Sequence, residues 1–249
     1  MAPLLQAESI RHSYRGTLAC SVADIGFTGG LISAVVGPSG AGKTTFLRIL
    51  AGLTIPDEGQ VWYRGDPLYR GSRRRRGGRT ACDLAGMVMV FHEPHLFRGT
   101  VRCNLEYGLR LRRTDWPSLE ARVTQVAGIL GLQDALDWQV GSLSAGEAQR
   151  VALGRALVLE PGVVILDEPT ANLDPVNIRT LETALVQACS EWNVAVVMVT
   201  HNLAQARRIA DRISFFDGGR LQSTEPVEEF FCKSSTGKQR AFLEGDAVG

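Results

Sequence analysis

A glycine-rich loop that joins an apolar run to a helix is the feature that most restricts the fold of this chain. Residues 37–44 read Gly-Pro-Ser-Gly-Ala-Gly-Lys-Thr and match the pattern G-x-x-x-x-G-K-[ST]. Residues 31–36 before the loop are almost all apolar, and residues 44–51 after it have helical spacing. A strand, a loop and a helix in this order begin a parallel α/β unit. The segment therefore predicts an α/β fold with a mostly parallel sheet.

The same loop predicts a phosphate-binding site. Its glycines let successive backbone N–H groups point into one concavity, and the following helix adds the positive end of its dipole. Lys43 is expected to reach the β- and γ-phosphates of a nucleotide, and Thr44 to offer its hydroxyl to Mg²⁺. A chance match is the alternative, but the flanking strand and helix are the context that the motif requires. The expected nucleotide-binding residues are Gly37, Pro38, Ser39, Gly40, Ala41, Gly42, Lys43, Thr44 and Thr45.

Two carboxylates follow a second apolar run. Residues 163–166 are Val-Val-Ile-Leu, which is typical of a strand buried on both faces, and Asp167 and Glu168 come directly after them. In parallel α/β sheets, ligands bind at the edge where such strands end. We expect Asp167 to hold Mg²⁺ and Glu168 to polarise the attacking water as a general base. Either carboxylate alone would be explained equally well by a solvated acidic turn.

Residues 143–147, Leu-Ser-Ala-Gly-Glu, begin a helical segment. Ser144 and Glu147 fit a capping box, in which the two side chains satisfy N–H groups at the start of the helix. A serine hydroxyl and free N–H groups at a helix N-terminus also form an anion site, so these two residues do not decide between the two roles. The position of the segment, after the glycine loop and shortly before the acidic strand, resembles the signature of the ATP-binding-cassette (ABC) family.

The resemblance to ABC proteins extends over about residues 14–219. It implies that Ser144, Gly146 and Glu147 face the nucleotide of a second copy, so that ATP joins a homodimer or a pair of cassettes. A tyrosine in a strand or a histidine at the end of a strand would be interpreted as structural if it stood alone. Here three further residues match family motifs in the expected order. They are Tyr14, expected to stack on adenine, Asp174, in the D-loop, and His201, expected to contact the γ-phosphate.

For the fold, the resemblance implies a P-loop NTPase core, an N-terminal antiparallel β-subdomain and an inserted helical subdomain. Residues 5–14 and 19–27 alternate in the manner of strands, and residues 100–138 look helical. The expected organisation is one domain over residues 1–249, a helical subdomain at about 95–160 and a C-terminal helical tail at about 226–249.

Three residues depart from the family pattern, and one of them is Glu147, where the signature often has glutamine. Ala145 stands where the signature usually has glycine, and its methyl group is tolerated if the backbone keeps a negative φ there. His92 stands where a glutamine is expected, at a position that offers an oxygen to Mg²⁺ or to the attacking water. A neutral imidazole nitrogen can coordinate or accept in its place, whereas a protonated one cannot. His92 is therefore a catalytic and metal-binding candidate; the alternative is that it only fills the position.

Composition restricts the partners. The net charge of +1 argues against bulk electrostatic capture of nucleic acid, and no apolar run approaches the roughly 18 residues of a membrane span. The N-terminus lacks the pattern of a signal peptide, and the five cysteines are scattered. We therefore expect a cytoplasmic protein that does not bind nucleic acid. The arginine run at residues 73–76 is interpreted as a solvated loop, with contact to anionic lipid headgroups or to an acidic surface as the alternative.

For function, the resemblance implies an ATPase that uses ATP and Mg²⁺ and is bound to integral membrane permease subunits on the inner face of the cell membrane. Residues 168–175, 203–208 and 229–245 are similar to importers of oxyanions such as tungstate, molybdate and phosphate, for which an extracytoplasmic substrate-binding protein is a further expected partner. The alternatives are a soluble ABC ATPase of DNA repair or translation, an export-type ABC transporter ATPase, and a regulatory cassette that only binds nucleotide. One cassette without a long heptad segment argues against the first, and the retained catalytic motifs argue against the last.

Overall fold

The computed structural model describes residues 2–69, 86–232 and 237–246. Within these ranges ten strands form one sheet. The strands are β1 (Leu5–Tyr14), β2 (Thr17–Phe27), β3 (Ile32–Val36), β4 (Glu58–Tyr63), β5 (Asp66–Pro67), β6 (Met87–Val90), β7 (Val163–Asp167), β8 (Ala195–Val199), β9 (Arg212–Asp217) and β10 (Arg220–Pro226).

The order of the strands across the sheet is β5-β4-β1-β2-β10-β9-β3-β8-β7-β6. At one end β5, β4, β1 and β2 pair antiparallel, and β9 and β10 also pair antiparallel. The other strands, from β9 through β3, β8 and β7 to β6, are all parallel. The predicted α/β class, with a mostly parallel core and an N-terminal antiparallel part, is confirmed.

Helices connect and cover these strands. They are α1 (Lys43–Leu50), α2 (Val101–Leu111), α3 (Trp116–Ile129), α4 (Ala145–Leu157), α5 (Pro175–Trp192), α6 (Leu203–Ile209), α7 (Val227–Cys232) and α8 (Gly237–Asp246). Three of them, α2, α3 and α4, lie between β6 and β7 in the chain, where the helical insert is expected. The division into a core and a helical subdomain stays a prediction.

The central parallel strands are buried on both faces, which explains their continuous apolar runs. In β7, Val164 and Leu166 belong to the apolar cluster that includes side chains of α2 to α5. Val163 and Ile165 belong to the opposite cluster, with α1 and the antiparallel strands. Successive side chains of a strand point to opposite faces, and both faces of β7 are covered by apolar clusters. Every position before the last is therefore apolar, and polar groups come only at the end of the strand. The acidic pair is thereby placed at the carboxyl edge of the sheet.

The secondary structure differs from the sequence expectations in three places. The helical segment expected at 100–138 is divided into α2 and α3, because Arg113 has φ 57° and Asp115 caps a new helix whose second residue is Pro117. Strand β10 has no apolar run and was not expected. The C-terminal tail forms two helices, α7 and α8, in the described residues.

Two further predictions from the sequence concern a membrane span and the arginine run. No helix in the described ranges is long and apolar enough to cross a lipid bilayer. The arginine run at residues 73–76 lies outside the described residues.

Cys20 and Cys189 are free thiols, and burial raises the pKa of each to about 12, so they are inert packing residues.

Candidate functional site

The glycine loop leads from the end of β3 into α1 at the carboxyl edge of the sheet. Gly42 is the N-cap of α1 and has φ 95°, in the left-handed region that favours glycine. A Cβ atom at Gly42 would lie 2.1 Å from the carbonyl oxygen of Ala19 in β2, so the close approach of loop and strand also requires glycine. No side chain caps α1, and its first N–H groups have no partner inside the helix. The loop therefore offers backbone donors to an anion.

The Lys43 side chain is buried within the loop. Its Nζ atom donates to the carbonyl oxygens of Gly37 at 2.7 Å and Pro38 at 2.8 Å. Burial lowers the pKa of Lys43, while the nearby carboxylates of Glu168 and Asp167 oppose that change. The acceptors of the ammonium group are neutral carbonyls, and a phosphate oxygen would make a stronger, charge-assisted bond with it.

A cleft of about 330 Å³ is lined by this loop and by the segments that follow β7 and β8. Its size is within the range of small-molecule sites. The lining residues are Ala19, Ser39, Gly40, Ala41, Gly42, Lys43, Thr44, Thr45, Glu168 and His201. The cleft thus brings most of the predicted phosphate loop together with Glu168, the predicted base, and His201, the predicted contact of the γ-phosphate. The sequence does not predict Ala19, because only the pairing of β2 in the sheet places it beside the loop.

Thr44 and Asp167 come from different elements and meet beside the cleft. The Thr44 hydroxyl donates to Asp167 Oδ1 at 3.2 Å. Burial raises the pKa of Asp167; the Thr44 bond opposes the change and the neighbouring Glu168 adds to it. A partly buried carboxylate in this state is stabilised by a cation. Hydroxyl and carboxylate oxygens are ligands that Mg²⁺ takes, so this pair fits that ion.

Glu168 and His201 form a pair at the ends of two adjacent strands. Glu168 has φ 49°, a left-handed conformation of a kind that clusters at functional sites. Its backbone N–H donates to Val199 O at 3.0 Å, which extends the pairing of β7 and β8 by one residue. His201 Nε2 lies 2.9 Å from Glu168 Oε1. The sequence separates these two residues widely, and the parallel register of the strands brings them together.

His92 follows β6 and lies next to the acidic pair. Its Nδ1 atom is 3.4 Å from the backbone carbonyl oxygen of Glu168, and its side chain is exposed. Burial raises the pKa of Asp167, and the neighbouring His92 side chain partly opposes that change. The position is therefore close enough to the predicted metal and base for the roles expected from the sequence, which stay predictions.

The start of α4 has the capping box that the sequence allows. Ser144 donates its backbone N–H and its hydroxyl to Glu147 Oε2 at 2.8 and 2.7 Å, and the Glu147 N–H donates to Ser144 Oγ at 3.3 Å. The Ser144 hydrogen bond lowers the pKa of Glu147. Ala145 is exposed and helical, so its methyl group meets the expected condition of a negative φ. None of these residues lines the cleft of the same copy.

Asp174 is the N-cap of α5 and lies near the start of α4. Its carboxylate accepts the backbone N–H groups of Val176 at 2.9 Å and Asn177 at 3.0 Å, and the Asn177 bond lowers its pKa. A Cβ atom at Gly146 would lie 2.3 Å from the Asn177 side chain, so the starts of α4 and α5 are in close contact. Asn177, which the sequence does not single out, thus connects two predicted motifs.

Tyr14 is at the end of β1 and does not line the cleft. Half of its surface is exposed, and its ring packs edge-on against buried His12 with centroids 4.7 Å apart. A tyrosine held from one side with an accessible face is suited to stacking on a flat ring. Its contact with adenine stays a prediction.

Known proteins are similar to this chain over most of its length. The family model described as ABC transporter matches residues 22–171. The phosphate import ATP-binding protein PstB 2 of Natronomonas pharaonis is 38% identical, over 98% of this chain and 87% of that protein. The tungstate uptake system ATP-binding protein TupC of Peptoclostridium acidaminophilum is 34% identical, over 87% of this chain and 96% of that protein.

Solved structures share the fold as well. The structure of cbiO1 from Clostridium perfringens, part of an ABC transporter complex, superposes with a TM-score of 0.82 at 25% identity and covers 94% of this chain and 92% of that one. The family match includes the glycine loop, the signature and the acidic strand, and the relatives align over most or nearly all of the chain. The chain therefore belongs to the ABC transporter family and is an ATP-hydrolysing cassette of that family.

Proposed function

We propose that this chain works as a dimer that binds and hydrolyses ATP to drive import of an inorganic oxyanion through separate membrane subunits. The observation that carries the proposal is the meeting of the Lys43 loop, the Thr44–Asp167 pair and the Glu168–His201 pair at one cleft. These groups can bind phosphates, hold a metal ion and activate water, which are the tasks of ATP hydrolysis.

Each group has one task in the proposed mechanism. The loop N–H groups and Lys43 bind the β- and γ-phosphates, and Glu168 accepts the proton of the attacking water. His201, in contact with the Glu168 carboxylate, orients that carboxylate and holds the γ-phosphate. Thr44 and Asp167 would hold Mg²⁺, which neutralises phosphate charge when bound. Tyr14 stacks on the adenine.

The proposed dimer is supported by the distance, within one copy, of the signature and D-loop residues from the nucleotide cleft. Ser144, Gly146, Glu147 and Asp174 lie at two adjoining helix starts, away from the cleft of their own chain. Such helix starts favour anions, so they can receive the γ-phosphate bound by a second copy. ATP then lies between the Lys43 loop of one copy and the signature of the other. The Ser144 hydroxyl must turn from Glu147 to the phosphate when the copies close.

A second groove supports docking of a membrane subunit. It has a volume of about 400 Å³ and lies between β6, α2 and α4. Phe97 and Tyr107 line it with ring centroids 4.3 Å apart, and the Arg155 guanidinium lies 4.8 Å from the Phe97 ring. Leu111 adds an exposed apolar side chain. An apolar groove with charged and aromatic walls suits an amphipathic helix, and this one begins beside His92. Closure at the nucleotide can thus be passed to a permease.

Import and cargo rest on similarity to relatives. PstB 2 and TupC carry phosphate and tungstate in their names, and both align over most of this chain. On this basis the cargo is an oxyanion, the chain lies on the cytoplasmic face of the membrane, and an extracytoplasmic binding protein delivers the cargo. The membrane subunits and the binding protein choose the cargo in this arrangement.

The proposed function is tested by uptake with the intact complex. Vesicles with this chain and ATP inside, the membrane subunits in the bilayer and the binding protein outside should accumulate one of tungstate, molybdate or phosphate. Lys43→Ala should abolish uptake, and Lys238→Ala should not, because Lys238 lies away from the cleft and pairs with Asp217. Outward transport, or uptake restricted to other classes of solute, would contradict the proposal.

His92 lies beside the acidic pair, and substitution tests whether its nitrogen takes part in hydrolysis. His92→Ala should lower the ATPase rate, because alanine offers no acceptor at this position. His92→Gln should keep more of the wild-type rate, because an amide oxygen can accept in place of the imidazole nitrogen. The measurement is the ATPase rate of both variants and of the wild type. Equal rates in the two variants would show that His92 does not act through its free nitrogen.

A further inference from the structure

Gln205 is a polar residue that no catalytic task assigned above explains. It lies on α6, four residues after His201, and is fully buried. Its Oε1 atom accepts the hydroxyls of Thr170 and Thr200, each at 2.9 Å. Both threonines are also buried. A carbonyl oxygen has two lone pairs, so these two bonds use its full accepting capacity.

The orientation of the Gln205 amide is fixed by its other neighbour. Nε2 donates to Glu182 Oε1 at 3.2 Å, and Glu182 is in turn bound by Arg208 at 2.6 and 3.2 Å. A reversed amide would place its oxygen against the carboxylate. The Thr200 hydroxyl accepts the Asn202 N–H at 3.0 Å, so its own hydrogen is free to donate to Gln205. The amide oxygen therefore faces the threonines.

The two threonines belong to the two loops that carry the Glu168–His201 pair. Thr170 is two residues after Glu168, and Thr200 directly precedes His201. Glu168 is in a left-handed conformation, which the surrounding structure must maintain. The single oxygen of Gln205 connects both loops. It therefore restricts how far the two loops can move apart.

We propose that Gln205 is a positioning residue that sets the distance between Glu168 and His201 by holding Thr170 and Thr200 on one amide oxygen. The inference rests on the roles proposed above for Glu168 and His201. Gln205 does not line the cleft. Its loss should therefore affect the chemical step and leave ATP binding in place.

The test compares variants that remove one hydroxyl or keep it. Thr170→Val and Thr200→Val preserve shape and lose the donor, whereas Thr170→Ser and Thr200→Ser keep it. In the full chain, each valine variant should lower kcat on the order of tenfold, since small displacements of reacting groups have large effects. KM for ATP should stay within about twofold, because the ground-state contacts are unchanged. The serine variants should keep most of the wild-type kcat.

Controls separate positioning from general stability. Thr180→Val removes an exposed threonine hydroxyl bond within α5 and should leave kcat unchanged. In a Gln205→Met background, Thr170→Val should have little further effect on kcat, because the bond that it removes is already lost. If Gln205→Met does not fold, the threonine series decides alone.

Three results would overturn the inference: a wild-type kcat in both valine variants, equal changes in kcat and KM, or equal losses in serine and valine variants. Failure of the catalytic assignment is distinguishable from these, because it would appear as retained hydrolysis in Glu168→Gln. In that case the kcat of the valine variants relative to the wild type still decides whether Gln205 holds the two loops in place.

Discussion

Glu168→Gln is expected to lower ATP hydrolysis by about 10²–10⁴-fold, the usual contribution of a general base, without loss of nucleotide binding. The amide keeps the shape of the carboxylate and can still bond to His201, which lies 2.9 Å from Oε1. It cannot accept the proton of the attacking water. The phosphate loop and Lys43 are untouched, so ATP stays bound. The variant should therefore accumulate the ATP-bound state.

The accumulated state should be a dimer, which light scattering can measure. The mass of Glu168→Gln should shift from one to two copies when ATP and Mg²⁺ are added. Ser144→Arg in the same background should prevent the shift, because it fills the signature that receives the phosphate of the other copy. Glu191→Gln, an exposed glutamate on α5, is the matched control and should hydrolyse normally. Retained hydrolysis in Glu168→Gln would contradict the role of the base.

The sequence predicts those parts of the site that obey local rules. The glycine loop, Lys43 and the acidic pair lie in short segments whose residue order reflects the backbone and the chemistry together. The structure places them where the pattern requires, at the ends of β3 and β7. The parallel core was predictable for a related reason, since strands buried on both faces must be apolar throughout.

Contacts between distant segments were not predictable in this way. Thr170 and Gln205 are 35 residues apart, and a buried polar residue leaves no periodic signal. Strand β10 is polar and is recruited by pairing with β9, so its sequence has no strand pattern of its own. At Ser144 the difficulty is different, because capping and anion binding require the same residues. One copy of the chain shows the cap, and a second copy is needed to test the other role.

Gly42→Ala is expected to weaken both folding and ATP binding, because two separate constraints meet at this residue. The left-handed φ of 95° costs a residue with a Cβ roughly 1–2 kcal/mol. The added Cβ would also lie 2.1 Å from Ala19 O, so either the loop or β2 must move. Charge-assisted hydrogen bonds contribute about 1.5–3 kcal/mol each, so a loop that loses two of its phosphate contacts should bind ATP about 10²–10⁴-fold more weakly.

Gly65→Ala separates the two constraints. Gly65 has φ 82° in the turn between β4 and β5, and a Cβ there would meet no atom within 4 Å. This variant should therefore lose only the backbone term, about 1–2 kcal/mol of unfolding free energy, and keep the wild-type affinity for ATP. The measurements are denaturant unfolding and ATP titration of both variants. Equal unfolding losses with unchanged ATP affinity in Gly42→Ala would show that the loop accommodates the methyl group, and that contact with β2 does not set its shape.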